Sequence, residues 1–124
     1  DWSSDVCSSD LFYDIVDHPR DLKRLSLCCH PALSLLRKYD KQSGSQLYET
    51  LETYTACGFN NAQTAAELFL HRNTLSYRLQ KISNMTGLDF EKPDVQFAMQ
   101  YSFRLEKFIF QLNQRQTITG LNGD

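Results

Sequence analysis

Residues 61–87 read NAQTAAELFLHRNTLSYRLQKISNMTG, and the hydrophobic spacing of this stretch decides the fold. From Arg72 onward, Leu75, Leu79, Ile82 and Thr86 fall on one side of a helix of about 3.6 residues per turn, with Asn73, Tyr77, Gln80 and Asn84 opposite. The shorter segment 62–68 is also helical in pattern. Ala62, Ala65, Ala66 and Phe69 form a stripe of mostly methyl-sized residues, which predicts that a second helix crosses closely there. The break falls at Phe69-Leu70-His71, where Leu70 is expected to plug the corner. His71 reads as a helix cap or turn residue. The stretch therefore predicts two helices joined by a tight turn.

Working outward toward the N-terminus, Asn60 and Asn61 are candidate N-caps, and Gly58 suits the left-handed end of a preceding helix. That helix, 47–57, carries Leu47, Leu51 and Tyr54 at helical spacing, with Glu49 and Glu52 on its exposed side. KQSGS at 41–45 reads as a flexible polar linker, with a domain boundary there or just before His30. His30-Pro31 starts a helix over 31–41, with Leu33, Leu36 and Tyr39 on one side. Residues 12–29 contain an apolar stub, a break at His18-Pro19 and a short helical pattern, and are expected to be the end of an upstream domain or connector.

Toward the C-terminus, Gly87 closes the second helix with Leu88 as its hydrophobic partner. After a loop over 89–92, Pro93 begins a last helix expected to run to about Leu112. Val95, Ala98, Met99, Ser102, Leu105, Phe108, Ile109 and Leu112 give it a broad stripe. Phe97, Tyr101, Phe103 and Phe110 add aromatic area beyond what one face needs. Residues 113–124 read as a flexible tail. The whole is a small all-α bundle of about five helices, with the globular domain spanning 30–112.

Residues 1–11, DWSSDVCSSDL, resemble the conceptual translation of a sequencing adapter and are expected to be an artefact or a disordered leader. Without Asp1, Asp5 and Asp10 the formal charge moves from −2 to +1. Net acidity is in any case a weak guide to partners, because charge is unevenly placed. Between Leu68 and Leu88 the chain carries Arg72, Arg78, Lys81 and His71 and no acid.

At 124 residues the chain can bury one core. It lacks an apolar run of the roughly 18 residues a bilayer needs, and the absence of a signal-peptide pattern leaves a cytoplasmic location as the expectation. Cys7, Cys28, Cys29 and Cys57 form no CxxC pair or regular framework. Cys28 and Cys29 beside His30 invite a metal reading, but adjacent cysteines serve one tetrahedral zinc poorly, and we expect buried thiols without metal or cofactor. Gly-rich phosphate loops, HExxH, GxSxG and clustered carboxylates are absent, so the chain is not read as an enzyme.

The second helix of the 61–87 stretch carries the chemistry. Amides pair bidentately with adenine and guanidinium groups with guanine in the major groove of duplex DNA. The N-terminal residues of such a helix reach the bases. Arg72, Asn73, Ser76, Tyr77 and Gln80 are accordingly expected to face the groove, with Lys81 on phosphate. Tyr77 also suits covering a hydrophobic edge. Arg78 projects toward the buried side, where it serves either a DNA contact or a pairing with Glu67 or another acid. The competing reading is a helical interaction module that docks an acidic protein partner, which an amide-rich face fits less well.

The segment HPALSLLRKYD and the run SQLYETLETYTACGFNNAQTAAELFLHRNTLSYRLQKISNMTGLDFEKPDVQFAMQYSFRL closely resemble the C-terminal helix-turn-helix domain of PucR-type transcription regulators. HRNTLSYRLQKI followed by TGLD is the most specific part, and the local motif also looks like that of the Fis group. The resemblance covers roughly 30–110. It implies sequence-specific DNA binding by a bacterial regulator that is a homo-oligomer at full length, with a small-molecule effector sensed by domains upstream. Phe69 stands where helix-turn-helix motifs commonly have glycine, which predicts a different turn or a strained one.

Overall fold

A computed structural model describes residues 29–122, with side chains as far as Arg115; the readings of residues 1–28 lie outside the described residues. Five α-helices occupy them: α1 (Pro31–Ser43), α2 (Leu47–Ala56), α3 (Asn61–Leu68), α4 (Arg72–Thr86) and α5 (Pro93–Asn122). The chain divides into two compact units. One is 31–100; the other includes Cys29, His30 and the chain from Tyr101 onward.

In the first unit α2 is the hub, packed by α1, α3 and α4, while α4 also meets α1 and α3. The packing surfaces are those the periodicity assigns. Leu33 and Leu36 of α1, Leu51 of α2, and Leu75 and Ile82 of α4 are essentially sealed from water. Each such side chain contributes roughly 1.5–3 kcal/mol by leaving water. Phe90 and Met99 are buried too.

The helix ends follow local hydrogen-bond chemistry. Asn60 Oδ1 accepts the Gln63 N–H at 2.9 Å and caps α3. At the end of α2, the Gly58 N–H donates to Thr55 O and the Phe59 N–H to Tyr54 O. This doubled closure uses the positive φ of Gly58, and Phe59 lays its ring edge-on to Tyr54 at 5.2 Å. Gly87 ends α4 in the left-handed region, its N–H donating to Ser83 O.

Some expectations change. KQSGS is a structured corner: α1 continues through Ser43, and the Asp40 carboxylate accepts the N–H groups of Leu47 at 2.9 Å and Tyr48 at 2.8 Å. A carboxylate from the preceding helix thus caps α2, where its adjacent residue Gln46 makes no side-chain cap, and the helix dipole favours the charge. The α3 stripe is also out of phase. Ala62, Ala66 and Phe69 are exposed, and Thr64 is the buried residue. Its hydroxyl donates to Asn60 O at 2.6 Å, so the side chain buries its methyl group at no loss of hydrogen bonding.

The start of α5 is as expected, but the helix runs to Asn122 rather than ending near Leu112. No proline or glycine stops it between Leu112 and Thr119. In the second unit the His30 N–H donates to the buried Ser102 Oγ at 2.9 Å. Phe103 is buried and so is no part of the aromatic surplus, while Phe97 and Phe110 are exposed.

Candidate nucleic-acid interface

The turn between α3 and α4 sets the angle of the outward helix. The Phe69 N–H donates to Ala66 O and the Leu70 N–H to Ala65 O at 2.9 Å, the same doubled closure that ends α2. Here the left-handed residue is Phe69 itself, with φ 55° and ψ 41°. The expected strain is therefore present. The turn keeps the geometry glycine would give and holds a side chain in it, projecting that ring 93% exposed into solvent. Leu70, half-buried, sits at the corner.

His71 then caps α4, its Nδ1 accepting the Asn73 N–H at 3.1 Å. A capped N-terminus and a buried back fix the helix, and its outer side follows. Arg72, Asn73, Ser76, Tyr77 and Gln80 are all exposed, on successive turns of one surface. Gln80 Nε2 donates to Asn84 Oδ1 at 3.2 Å, so the two amides form a pair on the exposed face. Two amides, a hydroxyl, a phenol and a guanidinium on a rigid helix provide donors and acceptors of the kind that base edges match.

The two flanks of this face differ in charge. Beside Ser76, Gln80 and Ser83 lies a shallow open hollow of about 290 Å³ that Tyr54, Asp89 and Glu91 also line. Burial, with the Glu91 charge adding, raises the Tyr54 phenol above its usual range. On the opposite flank Lys81 Nζ lies 5.0 Å from the centre of the Tyr39 ring and 5.9 Å from that of Tyr77. The closeness of the Tyr39 hydroxyl to the Lys81 ammonium is the largest cause that raises the lysine pKa and lowers that of the tyrosine. Sequence reasoning missed the contact of Tyr39 with Lys81, because a residue of α1 gives no local sign that it faces α4.

Arg78 stands apart from the others. It is half-buried, and its Nη1 donates to Thr50 Oγ1 of α2 at 3.2 Å, while the same hydroxyl donates to Gln46 O. This bond ties α4 to α2 through a threonine rather than through Glu67. Among the described residues no group of three or more His, Cys, Asp or Glu side chains converges as a metal site; Cys28 lies outside them.

Residues 47–105, which include the whole of α2, α3 and α4, match the family described as the PucR C-terminal helix-turn-helix domain. This segment belongs to that family. Over 57 residues the chain is 40% identical to the proline-responsive transcriptional activator PutR of Bacillus subtilis, covering 46% of this chain and 14% of that protein. Over 75 residues it is 35% identical to the DNA-binding transcriptional activator AdeR of the same organism, covering 60% of this chain and 18% of that one. The purine catabolism regulatory protein of Bacillus subtilis is 29% identical over 69 residues, 56% of this chain and 13% of its own length. The chain thus spans a small fraction of these relatives. No solved structure matches it.

Proposed function

We propose that this PucR-type domain binds duplex DNA sequence-specifically as the output end of a transcription regulator. The observation that carries the reading is the α4 surface: Arg72, Asn73, Ser76, Tyr77 and Gln80 face solvent together while Leu75 and Ile82 seal the opposite side. In this reading α4 enters the major groove, Arg72, Asn73, Ser76, Tyr77 and Gln80 meet base edges, and Lys81 meets a phosphate. Arg78 acts behind the face by tying α4 to α2.

Binding, not catalysis, is the work assigned to the domain. The regulator acts as a homo-oligomer on paired half-sites, in the cytoplasm, and an effector reaches it through regions outside the matched segment. No helix among the described residues is long and apolar enough to cross a membrane.

The test is a selection of the chain against random duplexes, followed by affinity measurements over a salt series. A recovered consensus, with log affinity falling linearly in log salt, is the expected result. Absence of binding to both selected and random duplexes at low salt would overturn the reading.

A further inference from the structure

The DNA-facing surface has a neighbour that does not belong to the helix-turn-helix. Tyr39 is on α1, outside the residues that match the family, yet its ring lies 5.0 Å from the Lys81 ammonium. Ser43, one helical turn beyond Tyr39, and Ser45 place further hydroxyls at this corner, Ser43 Oγ donating to Ser45 Oγ at 2.8 Å. The corner thus joins one cation to a phenol and two serine hydroxyls at the exposed end of α1.

We propose that Tyr39 and Lys81 together form a grip for one DNA phosphate, so that α1 extends the nucleic-acid surface beyond the helix-turn-helix. The proposal rests on the duplex-DNA reading given above. Charge decides which side of α4 the backbone approaches: one flank carries Asp89 and Glu91 around the hollow, the other carries Lys81. A phosphodiester is repelled by the first and attracted by the second.

The geometry also gives Tyr39 two tasks. Its ring, with that of Tyr77, holds the flexible lysine stem at the edge of the reading face, which reduces the side-chain entropy lost when a phosphate is engaged. Its hydroxyl is an O–H donor of the kind that commonly supplements a lysine on phosphate oxygens. Lysine acts there as a point charge, so a neighbouring donor adds direction that the ammonium lacks. Contact with phosphate rather than base makes the contribution independent of sequence.

The experiment is a double-mutant cycle on the full chain with Tyr39→Phe, Lys81→Gln and the pair. Affinity is measured over a salt series for a selected duplex and for a random duplex of equal length, with Asn73→Ala as the groove control. Tyr39→Phe is expected to weaken both duplexes about threefold. Lys81→Gln is expected to weaken both about tenfold and to make the salt slope shallower by about 0.9. The double variant should bind no more weakly than Lys81→Gln alone, since both side chains serve one phosphate.

Helical circular dichroism checks that the variants fold. Duplexes carrying single neutral methylphosphonates test the same contact with the wild-type chain: one position should weaken wild-type binding and leave Lys81→Gln unaffected. Wild-type affinity in Tyr39→Phe, strictly additive losses in the double variant, or a changed base preference in Lys81→Gln would overturn the grip. If Asn73→Ala still lost the selected duplex, the groove reading would stand without it. A wild-type chain that bound neither duplex would overturn both.

Discussion

The two sides of α4 are built from the same fifteen residues and answer to different demands. On the inner side Leu75 and Ile82 are sealed, and even Arg78 is drawn in to bond Thr50. On the outer side Asn73, Ser76 and Tyr77 are exposed, and the engagements are light ones within the helix, Gln80 with Asn84 and Tyr77 with Lys81. A side chain on the inner side contributes to folding through contacts that already exist. One on the outer side contributes little until a partner supplies the other half of each hydrogen bond. Stability and DNA affinity should therefore separate by face.

The contrast is tested most severely from the inside. Leu75→Ala or Ile82→Ala is expected to lower unfolding free energy by about 2–5 kcal/mol, through lost transfer energy and a residual cavity, in urea denaturation. A loss under 1 kcal/mol would show that α4 is not seated as described. From the outside, Asn73→Ala should reduce discrimination between selected and random duplexes by roughly 1–3 kcal/mol while stability stays within about 0.5 kcal/mol. Equal weakening on both duplexes would move Asn73 from the bases to the backbone.

Arg78→Ala sharpens the boundary between the faces. It should cost about 1 kcal/mol of stability by removing the bond to Thr50 and leave the salt slope of DNA binding unchanged. A shallower slope would return Arg78 to the outer side. Phe69→Gly probes the turn that sets where α4 points. Removing a side chain from the left-handed region is expected to stabilise the fold by roughly 0.5–1 kcal/mol, partly offset by the freer unfolded chain, as read from the thermal midpoint.

The smallest effect lies away from α4, at His30. Burial is the main cause that lowers its pKa from 6.5, so below that pH the unfolded chain binds the proton more readily. Stability should fall as pH drops below 6.5, and His30→Gln should flatten that part of the profile. A steeper profile in the variant would contradict the assignment.

Much of the architecture was legible because helix periodicity and capping are local. Gly58, Asn60, His71 and Gly87 each serve a backbone group within a few residues of themselves, and each stands where its chemistry predicts. The outward face of α4 was legible for the same reason: successive turns of one helix bring Asn73, Tyr77 and Gln80 to one side whatever else the chain does. The phase of α3 was harder to read. Eight residues give a weak period, and Thr64 looks polar in a sequence although its hydroxyl is satisfied by Asn60 within its own backbone.

By itself the sequence determined the helices, the caps around the helix-turn-helix and the chemistry displayed along α4, since these depend on contacts between residues close along the chain. Tertiary structure alone decided the rest. Asp40 caps a helix it does not belong to, Arg78 finds Thr50, and Tyr39 meets Lys81 across a gap of forty-two positions. The physical reason is that such pairs are selected by how α1 and α4 pack with α2, a geometry that no local spacing encodes.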